Sequence, residues 1–227
     1  MFSSVKSRSV SPFNIRNFEY IGTANRDGAS TPSFTFNNIS LGTPYPRTTL
    51  IISAAIFETT SSNNVDVVTV TIDGQNASII VPENITSPAE SNSHNSIHSL
   101  NVSNKTLISS LTLVPEDSSL TFAYALWKIN TIKQQNTPLN FENISRLNGE
   151  SHTISTARNG VAISTHYTIN SFAGISASGA VQDFNYDTRS GENFVGVSVY
   201  PTDGGSLTFT YSNNAGASLA ASSVSFI

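Results

Sequence analysis

Apolar residues recur at every second position along most of this 227-residue chain, and helical spacing is nearly absent. A period of two places successive side chains on opposite faces of an extended strand, so such a chain is committed to sheets. Phe34 and Phe36 flank Thr35. Val68, Val70 and Ile72 alternate with Thr69 and Thr71, and Leu120, Phe122, Tyr124 and Leu126 alternate with Thr121, Ala123 and Ala125. The same rhythm runs through 161–169, 195–199 and 207–211. Asp73-Gly74 ends the second of these runs and signals a tight hairpin, because a type I′ turn needs positive φ at both central residues. Asn76 to Val81 is then the returning strand. Leu50 to Phe57 is apolar on both faces and reads as a central strand with neighbours on each side. Ten to twelve such runs, separated by Gly-, Asn-, Asp-, Ser- and Pro-rich turns, predict an all-β fold: an antiparallel β-sandwich, jelly-roll-like.

The expected layout is one two-layer unit over residues 17–227. Thr137 to Arg146 is the one linker-like stretch, and it leaves open a division into halves 17–135 and 145–227. Residues 1–16 carry Lys6, Arg8 and Arg16, with no acid before Glu19, and read as a basic arm that is either a frayed terminus or laid on a neighbouring subunit. The arm has no apolar stretch of the kind a secretory signal needs. Glu83 to Ser99 is the longest expected loop. Pro115 to Tyr124 echoes Pro201 to Tyr211, a polar turn entering an amphipathic strand, which suits either a duplicated half-sandwich or convergent turn chemistry.

Composition narrows the function classes. Charged residues make up 11% of the chain, against roughly 25% in ordinary soluble domains. Ser, Thr and Asn together number 85 of the 227 residues and fill that gap. A surface of hydroxyls and amides suits fixed neighbours packed against it, and the same composition also arises from codon bias in an AT-rich genome. The net charge of −4 argues against a nucleic-acid footprint, and no apolar run is long enough for a membrane span. There is no cysteine, hence no disulfide and no thiolate chemistry. The expected site of synthesis is the cytoplasm, before assembly.

Candidate chemistry is sparse. His94 and His98 stand four apart, but on an expected loop and without the glutamate of a zinc-protease motif. His152 and His166 fall on separate strands and read as solvated or hydrogen-bonded. Asp183, Asp187 and Glu192 are the densest acids, a conceivable Ca²⁺ loop with Arg189 inside it. Asp27, Asp73, Asp117 and Asp203 fall at turns, where capping explains them. No nucleophile elbow or phosphate loop occurs, so the expectation is a protein that is not an enzyme and needs no cofactor or metal. Trp127, placed by alternation opposite Phe122 and Tyr124, is either a sugar-stacking platform with Asp183 and Asp187 or part of a second buried face.

The order of Phe34-Thr-Phe-Asn-Asn-Ile-Ser-Leu-Gly-Thr43, the strand 50–57, the Val-Thr-Val-Thr-Ile-Asp-Gly hairpin at 68–74 and the late segment Gln182-Asp-Phe-Asn-Tyr-Asp187 resembles a group of β-rich virion proteins of tailed bacteriophages. Asp73-Gly74 stands where that group has a double-glycine turn. The resemblance spans about residues 30–227 and implies a structural role on a phage particle, as a capsid decoration (cement) or tail-associated subunit. It implies other virion proteins as partners. A homo-oligomer is expected, since such subunits are usually symmetric. Lys6, Arg8 and Arg16 are then the expected assembly contacts. The alternative is a carbohydrate- or receptor-binding module of a tail fibre.

Overall fold

The computed structural model describes residues 15–58, 68–82, 93–115, 119–131, 138–145, 151–169, 173–189, 192–213 and 219–227. Every element among them is a strand, and every pairing is antiparallel. The first nine are β1 (Ile15–Thr31), β2 (Phe34–Ser40), β3 (Thr48–Glu58), β4 (Thr69–Ile72), β5 (Gln75–Asn76), β6 (Ser78–Val81), β7 (Ser93–Val102), β8 (Leu107–Val114) and β9 (Ser119–Thr131). The remaining eight are β10 (Pro138–Ser145), β11 (Ser151–Arg158), β12 (Val161–Ile169), β13 (Ala173–Ser176), β14 (Val181–Arg189), β15 (Glu192–Val199), β16 (Asp203–Asn213) and β17 (Leu219–Phe226).

These strands form four sheets stacked as layers, not the two expected. The first inner sheet has the order β1-β9-β3-β7-β6, and the first outer sheet β2-β8-β4-β5. The second inner sheet has the order β10-β17-β12-β15-β14, and the second outer sheet β11-β16-β13. Three apolar clusters lie between the layers. One joins the first outer and inner sheets through Phe36, Leu113, Phe122 and Leu126. One joins the second inner and outer sheets through Ile154, Val197, Phe209 and Tyr211. The largest joins the two inner sheets, with Ile51, Ile97, Trp127 and Ile129 on one side and Tyr167, Phe184, Phe194 and Phe226 on the other.

The two sandwiches repeat one plan. Reading β1, β9, β3, β7, β6 as β10, β17, β12, β15, β14 converts the first inner sheet into the second, and β2, β8, β4 likewise become β11, β16, β13. The sequence echo does not follow this correspondence. Its first copy ends in β9, at the heart of an inner sheet, whereas its second lies in β16, the centre of an outer one. The echo is therefore shared turn-and-strand chemistry, while the duplication is one of topology.

Local expectations fare well where strand neighbours decide them. β3 lies between β9 and β7 and is buried on both faces from Leu50 to Ile56. Asp73 and Gly74 have φ of 49° and 79° and close the β4–β5 hairpin. The Asp73 carboxylate accepts the Ser110 N–H at 2.8 Å and pairs with Lys105. Burial pushes its carboxyl up, but these bonds outweigh burial and hold it below the usual range. Ser93 to Ser99, the last part of the expected loop 83–99, is strand, because β7 begins at Ser93; residues 83–92 lie outside the described residues.

Small polar residues seat the two sandwiches on each other. Asn95 on β7 is fully buried, and its Oδ1 accepts the Ser53 hydroxyl at 2.9 Å. Its Nδ2 donates across the layers to the Thr165 hydroxyl at 3.0 Å, and Ser222 donates to its backbone carbonyl at 3.1 Å. A buried amide with partners on three other strands is satisfied in only one relative placement of the two sheets.

Candidate functional site

Trp127 is fully buried between the inner sheets, with Phe122 and Tyr124 on the opposite face of β9. Its ring packs against Tyr20 and Phe184, with centroids 5.8 and 6.0 Å away. Its Nε1–H donates to Asp183 Oδ2 at 2.8 Å, and Ser198 Oγ donates to Asp183 Oδ1 at 3.1 Å. The second-face alternative is thus the one the structure contains, and Trp127 offers no ring to a sugar. Burial pushes the Asp183 carboxyl up, while the Trp127 and Ser198 bonds pull the other way. Burial also raises the neighbouring Tyr20 hydroxyl, with a smaller contribution from the Asp183 charge. Asp183 links the second sandwich to the first and is not poised as a free ligand.

Trp127→Phe keeps an aromatic ring at the site, leaves a small cavity where the indole was larger, and removes the Nε1–H donor. Asp183 then loses a buried partner, which costs about 1–3 kcal/mol. Chemical denaturation of the two proteins measures that loss.

Asp187 lies exposed on the same strand, four residues beyond Asp183. The segment expected as a calcium loop is mostly strand: β14 runs to Arg189, and Glu192 opens β15 opposite it. Four strand residues span about 13 Å, too far for one ion to be shared by Asp183 and Asp187. The same spacing separates His94 and His98 along β7. No metal-binding group of three or more His, Cys, Asp or Glu side chains forms among the described residues.

Arg16 is not in an arm. The first strand begins at Ile15, and the Arg16 guanidinium stands 5.6 Å from the centre of the Tyr45 ring. Sheet pairing starts two residues before the expected boundary because β9 extends to Thr131 and offers Ile15 a partner. Lys6 and Arg8 lie outside the described residues.

The densest polar cluster was not anticipated as a unit. His152 on β11, Ser164 on β12, Tyr211 on β16 and Ser223 on β17 meet inside the second sandwich. Tyr211 Oη lies 2.7 Å from His152 Nδ1, from Ser164 Oγ and from Ser223 Oγ. His152 Nδ1 is also 2.9 Å from Ser223 Oγ, and the His166 ring stands edge-on to Tyr211 at 5.5 Å. Serine beside histidine invites comparison with a nucleophile and its base. All five side chains are buried to within 1% of full enclosure, however, so no substrate reaches them. Burial pushes His152 down to about 4 and His166 to about 3. The cluster is a neutral hydrogen-bonded core. Its members are spread over some 70 residues of sequence, so no local motif could reveal it.

No protein-family model matches the chain, and no curated protein matches its sequence.

Proposed function

We propose that this chain is a structural subunit of a tailed-bacteriophage particle, a capsid decoration or tail-associated protein that works by packing against other subunits. Each sandwich is taken as jelly-roll-like, since the chain visits inner and outer sheets in the same interleaved order in both halves. The observation that carries the proposal is the character of the two outer faces. β2, β4, β5 and β8 contain no charged residue, and β11, β13 and β16 contain only Arg158 and Asp203, which pair in register at one end. The outward positions are mostly hydroxyls and amides, with Leu107 and Val114 exposed at the two ends of β8. Thr35 bonds Thr112 at 2.8 Å on one face, and Thr153 bonds Thr208 at 2.8 Å on the other.

Neutral hydroxyls are far cheaper to take out of water than charges, and charges are depleted at the centres of protein interfaces. A slab whose outer sheets carry no charge beyond the Arg158–Asp203 pair is suited to lie between or upon other subunits. The inner sheets, by contrast, are consumed by internal packing, which fits a protein whose product is a rigid shape. The resemblance of its sequence motifs, from Phe34 to Asp187, to those of phage virion proteins points the same way.

Mass spectrometry of particles purified from a lysate that produces this chain tests the proposal. Copy numbers in the tens or more per particle are expected. Complete particles without the chain would overturn it.

A further inference from the structure

The stack has two long margins, and they differ in chemistry. At one margin the inner sheets end in β1 and β14, which meet through Tyr20 and Phe184 at 5.8 Å. Both strands carry charges: Arg16, Glu19, Arg26 and Asp27 on β1, and Asp183, Asp187 and Arg189 on β14. Charged edge strands of this kind discourage pairing with other chains. At the other margin the sheets end in β6 and β10, and Glu142 is the only charged residue in either strand. Ile79 on β6 and Phe141 on β10 remain 46% and 49% exposed there. They flank an open groove of about 670 Å³, lined also by Ser78, Ser99 and Asn140.

We infer that this uncharged margin is the contact surface for a second copy of the same chain, joined by antiparallel pairing of β10 with its two-fold mate. Antiparallel pairing of a strand with itself generates a closed two-fold contact, in which one patch serves both partners. Such a contact needs a patch that is cheap to take out of water, and among the described residues β6 and β10, with Glu142 alone charged, meet that condition better than β1 and β14 with charges of both signs. Its size is also adequate. An eight-residue strand is about 27 Å long, and four layers spaced about 10 Å apart give a margin on the order of 800 Å², the area a stable pair buries per partner. Ile79 and Phe141 supply the apolar centre, and the pairing satisfies the open edge of β10. Pairing at this margin leaves both hydroxyl-lined outer faces free. The inference is independent of where such a subunit is used, so it stands or falls apart from the particle assignment.

Sedimentation velocity and light scattering on the full chain provide the first test, with a dimer expected at about 100 µM. Ile79→Lys combined with Phe141→Lys places like charges across the two-fold and should weaken dimerisation by at least about 100-fold. Both residues are half exposed, so the melting temperature should stay within about 2 °C of the parent, whereas Val181→Lys on β14 should leave the dimer intact. Because the chain has no cysteine, single cysteines can also be placed in turn along β10. A disulfide needs Cα atoms within about 7 Å, so an antiparallel self-pair cross-links at one position and fails two residues to either side. A parent chain that is monomeric at this concentration, a dimer indifferent to the double lysine variant, or the absence of any same-residue cross-link would overturn the inference.

Discussion

Replacing Gly196 with valine is expected to lower the melting temperature by about 10 °C, through a loss of roughly 3–5 kcal/mol. Gly196 on β15 lies in register with Phe184 on the neighbouring β14. A Cβ built there would stand 2.1 Å from Phe184 Cε1 and 2.5 Å from Cζ, so the ring rests directly on the glycine backbone. The ring has little room to withdraw. Tyr20 stacks on it at 5.8 Å, and Phe194 and Trp127 stand at 4.8 and 6.0 Å. Ordinary overpacking costs about 1–3 kcal/mol, but here relief requires moving an aromatic ring out of the contact between the sandwiches. Scanning calorimetry reads the effect. Combining the valine with Phe184→Ala should cost less than the sum of the two single changes, because the clash disappears with the ring. Strict additivity would mean the ring does not lie on Gly196.

Acid should unfold the protein well above the range where carboxylates titrate. His98, His152 and His166 are all buried, and burial pushes them down to about 4, 4 and 3. Their described neighbours are hydroxyls, rings and backbone: Ser96 for His98, Tyr211 and Ser223 for His152, and Tyr211 with the Gly174 backbone for His166. In the unfolded chain each histidine takes a proton near pH 6.5, whereas in the folded chain each resists until far lower pH. The unfolded state therefore binds more protons over that interval. Stability is complete above about pH 6.5 and falls as pH drops, by about 1.4 kcal/mol per unit for each histidine. At pH 5 the three together remove about 6 kcal/mol, comparable with the whole stability of many domains. Asp183 works in the opposite sense, since its raised carboxyl favours the fold at low pH and loses that contribution as pH rises through its folded value. Asp73, held low, adds to the loss only at lower pH.

Urea unfolding at pH 7 and pH 5 measures the difference. His166→Phe should reduce the pH dependence by about a third, at the cost at pH 7 of the backbone contact that His166 makes with Gly174. A stability that does not change between the two pH values would show that the histidines are not buried as described.

Much of the fold was legible in the chain because strand alternation and turn chemistry are local. The Asp73-Gly74 hairpin, the central position of β3 and the antiparallel all-β class all follow from spacing that neighbouring residues impose. Layer number was not legible. Ser164 falls on the polar side of the alternation in β12, and Thr165, Ser222, Ser223 and Ser225 are polar residues on both faces of β12 and β17, yet all are buried. A hydroxyl is compatible with either place. It costs little in water, and it costs little inside if a partner waits, as Asn95 waits for Thr165 and Tyr211 for Ser164. Trp127 carried the same ambiguity, and its partner Asp183 lies 56 residues away.

Alternation alone thus decided that the chain pairs into antiparallel sheets, because period two is a property of each strand taken by itself. Stacking two sandwiches so that the central strands of both inner sheets vanish from solvent was decided in three dimensions. It depends on which serines, threonines and asparagines find one another across layers, and hydrogen-bond partners drawn from strands far apart in sequence leave no mark on the spacing within any one of them.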